Sequence, residues 1–143
     1  MRELSSVGFI GLGHMGYHMV NNLAKAGKKV YIYDVVPAAI ARFDGVDNVE
    51  AVSKASELAD KVKTVILMLP NSPHVQSALF GEDGVLSKQI PDGFFVIDMS
   101  SISPDVTREI AADLAEKSVK FVEGPVSGGV SGAEKGALTI MCG

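Results

Sequence analysis

Three glycines spaced Gly11-x-Gly13-x-x-Gly16, with Asp34 further on, are the residues here whose types and spacing point to chemistry. The chemistry is anion binding by backbone. Gly11 permits a tight turn, Gly13 lets the main chain approach a diphosphate, and Gly16 lets a helix pack closely on a strand. A helix opening at that point directs unpaired N–H groups and the positive end of its dipole at the anion. Leu12, His14 and Met15 complete the turn and count among the expected contacts, His14 through its backbone rather than its ring. The apolar run Val7-Gly8-Phe9-Ile10 before the turn and the helical pattern after it are what separate this motif from an ordinary glycine-rich loop.

Asp34 stands at about the 20-residue remove where dinucleotide sites carry an acid. It ends the run Lys29-Val30-Tyr31-Ile32-Tyr33, which reads as a second strand. A carboxylate there accepts hydrogen bonds from the adenosine ribose hydroxyls and repels a 2′-phosphate, whereas NADP sites place an arginine nearby. Val35, Val36 and Pro37 follow, with no basic group until Arg42. The expected cofactor is therefore NAD(H) rather than NADP(H).

The elements that must position these groups alternate between strand and helix. After Gly16, Val20, Leu23 and Ala24 recur on one helix face, and Gly27 is placed to end that helix. Pro37 opens a short helix over Ala38 to Phe43. Asn48 to Ala51 is a brief strand, and Ser53 is expected to cap a helix running to Ala59. Thr64 to Leu69 is continuously apolar, as in a parallel strand buried on both faces. Ser72-Pro73 starts a helix, Phe94 to Asp98 repeats the buried strand, and Ser103-Pro104 starts a helix carrying Ile110, Ala111 and Leu114. Lys120 to Val122 and Leu138 to Cys142 are expected as two further strands with a glycine-rich loop between them. The alternation predicts an α/β fold, a doubly wound, mostly parallel sheet of Rossmann type. Ligands of such sheets bind beyond the carboxyl ends of the strands, and the polar and glycine-rich residues fall there.

Bulk properties exclude other classes. At 143 residues with 47% hydrophobic and 21% charged residues, the chain has enough apolar material for one domain's core. Its net charge of −4, without a basic run, argues against a nucleic-acid or anionic-membrane surface. No apolar run is long enough to span a bilayer. The single Cys142 excludes an internal disulfide and fits a reducing compartment. A first strand beginning within a few residues of Met1 leads us to expect neither signal nor transit peptide. The expected compartment is the cytoplasm, or the mitochondrial matrix if a presequence has been removed.

The segment Gly124-Pro125-Val126-Ser127-Gly128-Gly129-Val130 narrows the reading. Together with Phe9 to Gly16, Met68-Leu69-Pro70 and Asp98-Met99-Ser100-Ser101, it resembles the β-hydroxyacid dehydrogenase family over essentially the whole chain. The resemblance implies that Ser127 and the backbone of Gly128 and Gly129 hold the carboxylate and hydroxyl end of a substrate. Successive N–H groups in a glycine turn do form an anion-binding concavity, to which a serine adds a donor. It also implies that Leu69 and Pro70 lie against the adenosine side of the cofactor, with His74 near them and Ser101 near the nicotinamide ribose. Many relatives carry Asp-Ala where this chain has Glu123-Gly124, a change expected to affect loop rigidity slightly.

By the same resemblance the reaction moves a hydride between nicotinamide C4 and the alcohol carbon of a small 3-hydroxy acid, giving a semialdehyde. The family's general acid–base lysine and a substrate-holding asparagine lie in an all-helical second domain, through which members largely assemble as oligomers. The chain is expected to be the dinucleotide-binding domain, residues 1–143, without that helical domain. Lys117, Lys120 and Lys135 match no part of the lysine motif, so no catalytic residue is assigned. Between 3-hydroxyisobutyrate and tartronate semialdehyde as substrate, Tyr33-Asp34-Val35 favours the first. Leu69 to His74 and Met99-Ser100-Ser101 favour the second. A stand-alone NAD(H)-binding module without catalysis is the rival from another class. An NADPH-using semialdehyde or imine reductase is a third reading, against which Asp34 argues.

Other residues carry blander expectations. His14 and His18 have metal-compatible spacing on a helix but lack a third ligand, so no metal is expected. Cys142 and the methionines Met15, Met19, Met68 and Met141 are expected on apolar faces. Asp98 is expected to hold a turn at a strand end, and Glu82-Asp83 to be a solvated loop.

Overall fold

Six short segments pair side by side, all parallel, in a computed structural model that describes residues 4–143. The first three residues of the expected 1–143 domain lie outside the described residues. The strands are β1 (Ser6–Ile10), β2 (Lys29–Tyr33), β3 (Val49–Ala51), β4 (Thr64–Leu67), β5 (Phe95–Asp98) and β6 (Lys120–Glu123). They lie in the order β3-β2-β1-β4-β5-β6. This is the doubly wound order of dinucleotide-binding sheets, and its direction of travel reverses between β1 and β4. Helices α1 (His14–Lys25), α2 (Pro37–Ala41), α3 (Leu58–Lys61), α4 (Ser72–Phe80) and α5 (Pro104–Glu116) make the crossovers.

Alternation along β1 divides the core between the two faces of the sheet. Val7 and Phe9 pack with Val20 of α1, and with Val30, Ile32 and Phe43. Ile10 packs on the opposite side with Leu58, Leu67, Leu79, Ile110 and Leu114. Removing a side chain such as Leu114 (0% exposed) from water stabilises the fold by ~1.5–3 kcal/mol. The chain leaves α1 through Ala26 and then Gly27, whose φ is +85°, and Lys28 N–H donates to Leu23 O at 3.1 Å. That is the glycine-terminated helix end the sequence implied.

Four expectations need correction. Ser53 caps no helix: a 3-10 turn over Ala55–Glu57, entered from Lys54, leads into the four-residue α3. Leu138 to Cys142 does not join the main sheet. Only β8 (Thr139–Ile140) forms, pairing antiparallel with β7 (Val126–Ser127) as a separate ribbon. The glycine-rich stretch between them is largely the helix α6 (Gly129–Lys135). Its glycines hide the helix from propensity, and a tertiary contact sustains it: Asn22 Nδ2 of α1 donates to Ala133 O at 2.6 Å. Cys142 is exposed, as is Met141, and Cys142 lines an open apolar cavity with Phe9, Ile66 and Ile97 instead of packing in the core.

Candidate functional site

The glycines of the first turn are there for different reasons. A Cβ on Gly11, whose φ is +105°, would fall 2.0 Å from Met68 O. One on Gly16 would fall 1.8 Å from Gly11 O. Both contacts are impossible, so these two positions are glycine because β1, β4 and α1 converge there. Gly13 differs: an added Cβ would meet nothing within 4 Å. Nothing within the fold requires glycine at 13. What lies before it is open space, bounded by the first turn of α1, whose N-cap residue Gly13 supplies no side-chain cap. The N–H groups of that turn are thus left to an outside acceptor, and an anion is the natural one.

Pairing of β1 with β2 sets Ile10 opposite Tyr33, and so brings Asp34 against the turn. Asp34 Oδ2 accepts from Leu12 N–H at 2.7 Å and Oδ1 accepts from Val36 N–H at 2.8 Å. Each carboxylate oxygen keeps acceptor capacity for a further donor, such as a ribose hydroxyl.

The turn and Asp34 border a groove of about 640 Å³, within the size range of small-molecule sites. Gly11, Leu12, Gly13, His14, Met15, Gly16, Asp34, Leu69, Pro70 and His74 all line it. A smaller cavity of about 160 Å³ adjoins it, sharing Asp34, Val35, Leu69 and His74 and reaching Ala78, Glu82 and Asp83. Val35, 76% exposed, stands between them as an unpaired apolar surface.

A hydrogen-bonded chain holds Leu69, which lines the groove, to the end of β5. Leu69 N–H donates to Ser100 Oγ at 2.8 Å, and Ser100 N–H donates to Asp98 Oδ1 at 2.9 Å. Asp98 does hold a turn at the end of β5, and it is 1% exposed with Oδ2 unpartnered. Burial pushes its pKa up, the hydrogen bonds from Ser100 oppose that, and Glu123 across the β5–β6 register adds a smaller upward push. His74 Nδ1 meets Asn71 Oδ1 at the start of α4, on the groove's rim.

The remaining candidates stand apart from this groove. Ser101 is exposed beyond the end of β5 and does not border it. Ser127, Gly128 and Gly129 are exposed where β7 turns into α6, with φ of +133° at Gly128 and +59° at Gly129. They do not line the groove either.

Arg42 is the groove residue that chain distance obscured. It follows α2, which turns the chain back so that Arg42 borders the same groove as Asp34, with its guanidinium carbon 3.6 Å from the centre of the Tyr17 ring. The signal was the Pro37 helix start, since a short helix after Asp34 must return its last residues toward β1. Among the described residues, no cluster of three or more His, Cys, Asp or Glu is arranged to hold a metal ion. None of the helices there is long and apolar enough to cross a membrane.

The chain has relatives of known family and fold. Residues 6–143 match the family model described as the NAD binding domain of 6-phosphogluconate dehydrogenase. Human mitochondrial 3-hydroxyisobutyrate dehydrogenase is 42% identical over 137 residues, covering 96% of this chain and 40% of its own length. A Mycobacterium tuberculosis 3-hydroxyisobutyrate dehydrogenase structure with L-serine superposes at a TM-score of 0.89 and 32% identity, covering 99% of this chain and 47% of that one. The structure of Psf3 in complex with NADP+ and 2-OPP gives a TM-score of 0.86 at 27% identity, over 95% of this chain and 48% of that one. The chain thus spans less than half the length of each of these relatives.

Proposed function

Since the chain belongs to the family of 6-phosphogluconate dehydrogenase NAD-binding domains, we propose that it is the cofactor-holding part of an NAD-dependent β-hydroxyacid dehydrogenase acting on 3-hydroxyisobutyrate. The observation that carries the cofactor half is the open space before Gly13, in the groove that Asp34 also borders. Diphosphate lies against the first turn of α1, the adenosine ribose on Asp34, and the adenine side along Val35, Leu69, Pro70 and His74. Ser101 serves the nicotinamide ribose. Asp34 favours NAD(H) over its 2′-phosphorylated form, even though Psf3 takes NADP+.

Bound NAD supplies a hydride acceptor at nicotinamide C4. The chain's own part is to fix that carbon and to bind the acid end of the substrate, through Ser127 and the N–H groups of Gly128 and Gly129. The proton of the substrate hydroxyl is taken by a lysine in a helical second domain, which also carries the oligomer contacts. The human and mycobacterial dehydrogenases support 3-hydroxyisobutyrate as the substrate; tartronate semialdehyde is the competing one. A reducing compartment, the cytoplasm or the mitochondrial matrix, suits the lone exposed Cys142.

The test is turnover by the full-length gene product. NAD-dependent oxidation of 3-hydroxyisobutyrate that exceeds NADH-dependent reduction of tartronate semialdehyde is the expected result. The reverse ranking would replace the substrate, and turnover of neither would remove the enzyme reading.

A further inference from the structure

We infer that Arg42 is a specificity residue of the groove: a ready cation for a phosphate on the adenosine 2′-hydroxyl, whose binding Asp34 opposes. This rests on the cofactor reading above and deepens it. Arg42 and Asp34 line one groove, together with Val35, Val36 and Ala39. The guanidinium lies over the Tyr17 ring at 3.6 Å, and Tyr17 packs in turn on Phe43 at 5.2 Å between centroids. A guanidinium held by its face keeps its edge donors available for a bidentate bond to phosphate. No carboxylate pairs with Arg42 among the described residues, whereas Arg108 is bound to Asp105 at 2.8 Å. Its charge is therefore uncommitted among the described residues.

Asp34 supplies the opposing charge. Its two N–H donors, from Leu12 and Val36, hold it in place beside the groove. Discrimination against a 2′-phosphate then comes from one negative charge acting against a cation already positioned. Removing that charge should expose a preference the fold already carries.

The test measures Kd for NADH and NADPH with the wild-type chain, D34S, R42A and D34S/R42A, with thermal melting to verify folding. In D34S the affinity ratio should swing toward NADPH by about tenfold or more, as expected when a charge-assisted phosphate contact replaces repulsion. That swing should vanish in D34S/R42A. Equal ratios in D34S and D34S/R42A would overturn the inference. If D34S does not fold, R42A alone decides: its NADH preference should rise by roughly threefold or more, and an unchanged ratio would overturn the proposal. Absence of binding of either nucleotide to the wild-type chain would instead overturn the cofactor reading on which it rests.

Discussion

The backbone N–H of Leu12 donates to Asp34 Oδ2 at 2.7 Å, tying the glycine turn after β1 to the end of β2. One carboxylate thus shapes the turn and presents acceptors to the groove. Asp34→Ala should cost stability as well as affinity. Hydrogen bonds to a charged group contribute ~1.5–3 kcal/mol each, discounted here because Asp34 is only partly buried. Chemical denaturation should show a loss of about 1–2 kcal/mol, and NADH titration a Kd at least about tenfold weaker. Unchanged stability would mean the bond to Leu12 contributes nothing to the turn.

Gly13 and Gly16 should separate binding from folding. Gly13→Ala adds a Cβ that meets nothing within 4 Å among the described residues, so its melting temperature should stay within a degree or two of wild type while NADH binding is lost. Gly16→Ala drives a Cβ into Gly11 O and should destabilise the domain by more than ~1–3 kcal/mol, the usual cost of overpacking. Equal thermal losses in the two variants would contradict the assignment.

Asp98 predicts a pH dependence. Burial raises its folded-state pKa above the unfolded value, so the folded chain holds this proton more tightly than the unfolded chain does. The resulting stability is fully present below the unfolded pKa. It is lost as pH rises through the folded pKa, upward from the ordinary aspartate range. Asp98→Asn cannot titrate, so its stability relative to wild type should improve as pH rises through that window. A difference that stays flat with pH would show that Asp98 titrates normally.

The proposed function gives Ser127 to the substrate and not to the cofactor. In the full-length protein, Ser127→Ala should raise KM for the hydroxy acid by about tenfold, the effect of one lost hydrogen bond to a charged group. The Kd for NADH should move little. A change confined to NADH binding would transfer Ser127 to the other ligand.

Most of the fold was legible because a doubly wound sheet writes itself in alternating apolar runs and glycine turns. The gathering of Gly11, Gly16 and Asp34 at one groove was legible because these residues obey local steric and charge rules. The C-terminal part was not. Helix α6 contains Gly129 and Gly132 and depends on Asn22, more than a hundred residues earlier in the chain. Cys142 and Met141 look apolar in sequence, yet β8 is an exposed two-residue strand. Arg42 was set aside by its distance from Asp34 along the chain, a measure that the turn of α2 defeats. The partnership of Leu69 with Ser100 and Asp98 spans β4 and β5, and no local pattern reports it.

The most direct test of the central claim is calorimetric titration of NADH into the wild-type chain and into Gly13→Ala. Saturable binding of one nucleotide per wild-type chain, abolished in a normally folded Gly13→Ala, is the predicted result. Equal binding by both proteins would place the nucleotide elsewhere. No binding by the wild type would contradict the cofactor site itself.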